Sequence, residues 1–384
     1  MHINRILAPP NTSFFLLGPR GTGKSTWLKR KFPDARYIDL LSETTYQRLL
    51  INPGLFGDEI RSFPPASTVI VDEIQRLPNL LNEVHRAIEE QRHRFVLCGS
   101  SARKLNRSGV NLLAGRALRR AMHPFLPEEL GSHFDLASSL KQGLLPIIWD
   151  SIEPEETLRA YAQMYLKEEI QAEALVRNLP GFARFLPIAA LMNGQIVNLS
   201  NVAREAGVAR PTAAGYFEIL EETLLCFRVP AYEAKLRVRE RKQSKWYWCD
   251  PGLVRAMKQS ALGDPTPEER GSLFEGLVAQ MIRAYRDYRG LCENFFYWAP
   301  VGRSTVEVDF LIKRADEFVA IEVKSGARFS NQWCRGLRVI KDLKGMQRRI
   351  IAYPSGPRLK TADGIDVLSL SDLSELLSTN SLWP

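Results

Sequence analysis

The 384-residue sequence predicts an α/β chain of several domains. Three observations predict it. A strand-like run, Phe14–Leu17, passes through a glycine-rich loop into a helix-like run, Thr26–Lys31. A β-branched run, Thr68–Val71, ends on the acids Asp72-Glu73, as a buried parallel strand does when its carboxyl end reaches a site. In the last third, an apolar stripe from Ser272 to Tyr288 marks a helix, followed by strand-like runs at Phe295–Trp298, Glu307–Ile312 and Phe318–Lys324.

Composition narrows the class. The sequence is 45% hydrophobic and 25% charged, which suits a globular protein. No apolar run is long enough to span a membrane, and Met1–Pro10 lacks the apolar core of a signal peptide, so a cytoplasmic location without a membrane partner is expected. Five scattered cysteines (Cys98, Cys226, Cys249, Cys292, Cys334) form no C-x-x-C pair and read as buried thiols rather than a disulfide framework or a zinc site. The five histidines show no ligand spacing, and the net charge of +9 points mildly to a polyanionic partner.

The loop Gly18-Pro19-Arg20-Gly21-Thr22-Gly23-Lys24-Ser25 fits G-x-x-x-x-G-K-[ST] and lies between strand and helix, where that pattern cradles phosphates. Its glycines allow backbone N–H groups to face a phosphate chain, and the following helix offers its positive end. Gly18 through Ser25, with Thr26, are therefore the candidate nucleotide-binding residues, for ATP. Lys24 would reach the β- and γ-phosphates and the Ser25 hydroxyl would ligate Mg2+. Asp72 would hold the same ion and Glu73 would polarise the attacking water as the catalytic base. Trp27 either touches a base or packs the helix, the latter being favoured. Pro53–Pro65, with three prolines and two glycines, reads as a surface connection. Arg94–Gly99 is a further strand; Ser100 at its end either senses the γ-phosphate or belongs to a serine-rich turn.

Gly18–Ser25, Val69–Glu73 and Gly99-Ser100-Ser101 together resemble the AAA-type P-loop ATPases. The resemblance implies an αβα core, placed at residues 1–130, Mg2+-dependent ATP hydrolysis, and assembly as a homo-oligomer, in many members a ring. In such rings an arginine from one subunit touches the γ-phosphate of the next. Arg116, within Leu113–Arg120, is the candidate finger and a catalytic residue on this reading; a surface ion pair or a polynucleotide contact is the other reading.

Residues 131–195 read as a helical region, with Leu158, Tyr161, Ala162, Tyr165, Leu166 and Glu169 at three- and four-residue steps. Residues 196–260 read as a winged helix. Ser200–Ala206 is one helix, Gly207-Val208 a tight turn and Pro211–Glu222 a second helix. The second helix carries Thr212, Ala213, Gly215 and Glu218 outward, few of which read bases, so sequence-specific readout is not expected. Downstream, Lys235, Arg237, Arg239 and Arg241 alternate with other residues, and Lys242 and Lys245 precede Trp246-Tyr247-Trp248. Period-two alternation places the basic groups on one strand face, a wing suited to nucleic acid, DNA foremost, with aromatics near for stacking. A solvated edge strand is the competing reading.

In residues 261–384, Gly263–Glu269 reads as a linker and Asp316 as the centre of a hairpin. Glu322 and Lys324 share a strand face, and Asp309 lies near the same end. Asp309 and Glu322 could hold Mg2+, with helical Glu275 as a further ligand, and Lys324 could position or deprotonate a water attacking a phosphodiester. Helix-Glu, strand-Asp and Glu-x-Lys in that order resemble the PD-(D/E)XK nuclease fold, although Asp309 follows valine where that signature has its opening pair. The chain as a whole resembles a bacterial and archaeal group of AAA-type ATPases with such a C-terminal domain of unassigned function. Lys245–Leu253, Glu275, Glu307-Val-Asp309 and Ile321-Glu-Val-Lys324 fall on that group's landmarks. The tail adds strands at Arg349–Tyr353 and Ile365–Leu368 and a short helix with Asp372-x-x-Glu375 as its capping pattern. Two functions stay open: an ATPase acting on nucleic acid with a metal-dependent nuclease attached, or a nucleotide-controlled switch whose C-terminal domain binds a partner without catalysis.

Overall fold

The computed structural model describes all residues except 1–2, 102–112, 166–169, 171–175, 177, 235–239, 259–262, 302–305 and 384. They fall into two compact units. One comprises residues 5–123 with 219–225, the other 1–4, 124–218 and 226–384. The helical stretch, the helix-turn-helix segment as far as Glu218 and the C-terminal sheet thus lie within one unit.

In the first unit the chain runs β1 (Phe14–Leu17), α1 (Lys24–Lys31), β2 (Arg36–Asp39), α2 (Glu43–Ile51), α3 (Gly54–Arg61), β3 (Thr68–Asp72), α4 (Leu81–Gln91), β4 (Arg94–Gly99) and β5 (Leu118–Ala121). The five strands form a sheet in the order β2-β3-β4-β1-β5. Every pairing is parallel. All four residues of β1 are buried, as are four of five in β3, which is why both read as unbroken apolar runs. β4 lies between β1 and β3, pairing Leu17 with Gly99 and Val71 with Leu97. The three carboxyl ends are therefore level.

The stretch read as a surface connection holds a helix instead. α3 starts after Pro53 and buries Phe56 and Ile60, four apart on one face. Its apolar period outweighed the proline count, because Pro53 precedes the helix and Pro64-Pro65 follow it.

In the second unit, α5 (Pro154–Met164) and α6 (Leu179–Leu191) lead to α7 (Leu199–Ala206) and α8 (Arg210–Glu222), whose last turn, from Ile219, belongs to the first unit. Gly207 closes α7 at φ 64°, the left-handed cap that a tight turn requires. A three-stranded sheet of β6 (Gln195–Ile196), β7 (Cys226–Val229) and β8 (Lys245–Trp248) has the order β6-β8-β7, both pairings antiparallel. The rings of Phe185 and Tyr216 lie 5.2 Å apart and those of Phe217 and Trp246 4.5 Å apart, packing the helices onto β8. Trp246, Tyr247 and Trp248 are all buried, which corrects their expected role as bases' stacking partners.

α9 (Pro251–Met257) and α10 (Pro267–Arg289) follow. α10 begins inside the expected linker, since Thr266 caps it and Pro267 opens its first turn. A six-stranded mixed sheet then forms from β9 (Asn294–Trp298), β10 (Val308–Arg314), β11 (Glu317–Val323), β12 (Met346–Tyr353), β13 (Leu359–Lys360) and β14 (Asp366–Ser369), ordered β13-β14-β12-β11-β10-β9. α11 (Leu370–Ser378) closes the chain. Its capping box is Ser369 with Asp372, three residues earlier than the pair expected.

All five cysteines are buried free thiols, as expected. No helix among the described residues is long and apolar enough to cross a membrane.

Asp250 ties this unit together. Its carboxylate accepts the Leu253 N–H at 3.1 Å, capping α9, and the Leu144 N–H at 2.6 Å. Burial still pushes its pKa up, to about 6, against the backbone bonds that oppose the shift. Replacing Asp250 by alanine removes a cap and strands a buried N–H, so Asp250→Ala should lower stability by about 2 kcal/mol, read as a shifted denaturant midpoint.

Candidate functional sites

The first site forms where β1, β4 and β3 end. Gly21 and Gly23 hold φ values of 80° and 83°, a conformation glycine adopts freely, and these bend the loop into α1. Lys24 is buried and its ammonium folds back to donate to the carbonyls of Gly18 at 2.7 Å and Pro19 at 3.0 Å. The loop thus satisfies its cation with its own carbonyls. Thr22 is wholly buried, and its hydroxyl donates to the Pro19 carbonyl at 2.8 Å, so this side chain braces the loop rather than facing outward. Arg5 supports the same turn by donating to the Thr22 carbonyl at 3.0 Å. Ser25 is half-buried and Thr26 exposed. Trp27 is buried with its ring edge on Phe32, the packing role favoured above.

Asp72 is buried and accepts the Glu73 N–H at 3.1 Å. It also accepts the hydroxyl of Tyr37, from the neighbouring strand β2. Burial first, then the Asp72 carboxylate, push the Tyr37 phenol far up, while a Ser25 contact pulls the other way. Tyr37 therefore stays protonated between Ser25 and Asp72. A hydroxyl and a buried carboxylate around one point form a donor set that suits Mg2+.

Glu73 sits at φ 58°, a left-handed conformation that costs a non-glycine residue about 1–2 kcal/mol. Such strain persists where the surroundings over-determine it, and it often marks a working residue. Gln75 supplies the restraint. It is buried, and its amide donates to the Glu73 carboxylate and, at 3.2 Å, to the Ser100 hydroxyl. The expected residues Lys24, Ser25, Asp72, Glu73 and Ser100 all lie at level strand ends. Sequence reading missed Tyr37 and Gln75, because Tyr37 meets Asp72, and Gln75 links Glu73 to Ser100, across neighbouring strand ends that lie far apart in the chain. Arg116 lies at the surface, its guanidinium paired with Glu89.

The second site lies between α10, β8 and the β10–β11 hairpin. Phe310 pairs with Ile321, which brings Asp309 level with Glu322. Asp309 accepts the Val323 N–H at 2.8 Å. Oxygens of Glu275, Glu307 and Asp309 lie within 4.8 Å of one another. Among them sits the ammonium of Lys245, 2.6 Å from Glu307, 3.1 Å from Glu275 and 3.4 Å from Asp309. Tyr247 donates to Glu275 at 2.5 Å, and Lys324 donates to Glu322. The other oxygen of Glu322 is buried without a hydrogen-bond partner among the described residues.

The charges follow from that packing. Burial disfavours charge on Lys245, but Glu275, Tyr247 and Asp309 outweigh it and hold the ammonium well above its ordinary value. Burial would raise Asp309 too, yet Lys245 and Lys324 draw it below the usual carboxylate range. Burial and then Asp309 raise Glu275 to about 7 and Glu322 well above its ordinary value. The structure thus gathers Glu275, Asp309, Glu322 and Lys324 as expected, and adds Glu307, Lys245 and Tyr247.

Lys245 corrects the reading of the basic wing. It is 3% exposed and faces carboxylates, so it offers nothing to a phosphate. Lys242 is exposed and 3.1 Å from Glu233, and Arg241 is half-buried outside any strand. Lys235, Arg237 and Arg239 lie outside the described residues.

Comparison with known proteins assigns the segments. Residues 10–131 match the family described as AAA domain. Residues 134–264 and 270–373 each match a domain of unknown function, DUF8612 and DUF4143. Uncharacterized proteins of Mycobacterium bovis and Mycobacterium tuberculosis are both 24% identical over 380 residues, covering 94% of this chain and 82% of each relative. The solved structure of the Aeropyrum pernix Orc1 protein in complex with DNA is similar over 66% of this chain and 87% of its own, at 12% identity and a TM-score of 0.27. The chain therefore carries an AAA-type, ATPase-like domain.

Gly18 tests the first site without touching a charged group. A Cβ built there lies 2.3 Å from the carbonyl oxygen of Met122, the residue after β5, the strand beside β1. Gly18→Ala should force the loop off that strand, lowering stability by about 1–3 kcal/mol and weakening nucleotide binding together. Thermal melting with and without nucleotide reads both effects.

Proposed function

We propose that the protein is a Mg2+-dependent ATPase whose turnover is coupled to nucleic acid. The observation that carries the reading is the gathering of Lys24, Ser25, Asp72, Glu73 and Ser100 at the level ends of three adjacent parallel strands. On this reading the loop amides hold the phosphate chain, and Lys24 exchanges its carbonyl partners for β- and γ-phosphate oxygens. Bound Mg2+, held by Ser25 and Asp72, would neutralise charge on the phosphates. Glu73, fixed by Gln75, orients the attacking water and takes its proton. Arg116 would leave Glu89 for the γ-phosphate of a neighbouring subunit in a homo-oligomer.

Lys24→Ala should abolish ATP binding. Glu73→Gln should bind ATP but lose at least about 100-fold in turnover, as loss of a positioned base does. Arg116→Ala should slow turnover and spare binding. Isotherms with labelled ATP and phosphate-release rates separate these outcomes; a Glu73→Gln protein turning over normally would remove the reading.

Two features support nucleic acid as the coupled partner. One is the helix-turn-helix pattern of α7 and α8, followed by the β7–β8 pair. The other is an open groove of about 520 Å3 beside β12, β13 and β14, lined by Lys341, Arg348, Arg349, Arg358 and Lys360 against the single carboxylate Asp366. Arg358 and Lys360 are exposed. Clustered cations of this kind suit a phosphodiester backbone. Reversing both, Arg358→Glu with Lys360→Glu, should weaken DNA binding at low salt and flatten its dependence on salt by about one to two in log–log slope. ATP turnover that ignores DNA and RNA would instead favour the nucleotide-controlled switch.

A specific observation favours that second reading for the C-terminal domain. Lys245 already occupies the carboxylate cluster that a nuclease would give to a metal. Metal-dependent cleavage lost in Lys324→Ala would restore the nuclease reading.

A further inference from the structure

The carboxylates of Glu275, Glu307 and Asp309 converge closely enough to bind one cation. The cation among them is an ammonium. A lysine has three N–H donors, and here three separate carboxylates accept from Lys245, at 2.6, 3.1 and 3.4 Å, so its donor set is filled. Mg2+ needs near-octahedral oxygen ligands at roughly 2.0–2.1 Å, a shell that cannot be shared with an ammonium bonded to the same oxygens. The residues as arranged therefore do not fit a metal.

The wider charge balance points to what would happen without that ammonium. Glu275, Glu307, Asp309 and Glu322 face two cations, Lys245 and Lys324. One oxygen of Glu322, which is 6% exposed, has no hydrogen-bond partner among the described residues. The cluster is rich in acceptors and short of positive charge. Lys245 comes from β8, whereas its partners come from α10, from the approach to β10 and from β10 itself, 30, 62 and 64 residues away along the chain. The same contact that fills the cluster also fastens the small β6-β8-β7 sheet to the C-terminal sheet and helix.

We infer that the C-terminal carboxylate cluster is an ionic lock whose resident cation is Lys245, and that a divalent metal enters only where Lys245 leaves. The lock makes the cluster a metal-independent joint in the resting chain. Withdrawal of β8 would convert it into a divalent-cation site made of Glu275, Glu307 and Asp309. The inference goes beyond the ATPase reading, and its test uses no nucleotide, so its failure leaves that reading standing.

The test compares full-length wild type with Lys245→Met, which keeps the side-chain length and removes the charge. Mn2+ is the probe, with uptake followed by equilibrium dialysis and stability by thermal melting in chelator and in millimolar Mn2+. Wild type should take up no Mn2+ that depends on Asp309, and its melting temperature should not respond. Lys245→Met should melt lower in chelator, recover in Mn2+, and take up one Mn2+ per chain, lost again on adding Asp309→Asn. Wild-type uptake that disappears in Asp309→Asn would overturn the inference, since the metal would then coexist with the lysine. A folded Lys245→Met protein that binds no Mn2+ would overturn it equally, because the lysine would not be what excludes the metal. Should Lys245→Met fail to fold, the wild-type melting curve decides alone: an Asp309-dependent rise in Mn2+ contradicts the lock, and its absence supports it.

Discussion

Three parallel strands that end at the same height govern the first unit. β4 inserts between β1 and β3, so the loop after Leu17, the turn after Gly99 and the acids after Val71 open onto one edge of the sheet. On the proposed reading each group is useless alone: Lys24 needs an anion, Asp72 a cation, and Glu73 a water held at the right distance. The parallel register supplies these conditions together, because residues at the carboxyl ends of adjacent strands become neighbours without any long side chain reaching for another.

Legibility in the sequence followed the range of the interaction. The phosphate loop was plain because its requirements are local: glycines where φ is positive, a lysine and a hydroxyl at the start of a helix. Asp72 and Glu73 were readable because a short apolar strand that stops on acids is itself a local pattern. Tyr37 and Gln75 were not, since Tyr37 meets a carboxylate 35 residues away, and Gln75, besides holding nearby Glu73, reaches a hydroxyl 25 residues away. α3 was missed for a different reason, its flanking prolines being taken as breakers when they are its borders.

Lys245 shows the limit most sharply. Alternating charge suggested a cationic face, and period two is a sound guide to which residues share a side. It does not say whether that side meets water or a set of carboxylates brought from elsewhere. One signal was present: Tyr247 shares a face with Lys245 in β8, and the surrounding aromatic run favours a buried strand. In the C-terminal sheet, by contrast, Asp309, Glu322 and Lys324 were readable, because a tight hairpin fixes their register from the sequence alone.

The two charged centres thus use lysine in opposite ways. Lys24 rests on neutral carbonyls, a weak hold that phosphate can replace. Lys245 rests on carboxylates, a hold that only loss of the strand or of the charge should undo. The central claim concerns the first of these. Hydrogen exchange at the backbone amides of residues 18–25, followed with and without Mg2+ and a non-hydrolysable ATP analogue, tests it most directly. Slower exchange across Gly21–Ser25, accompanied by protection at the ends of β3 and β4, is the expected result. Unchanged exchange in the loop at saturating analogue would contradict the account.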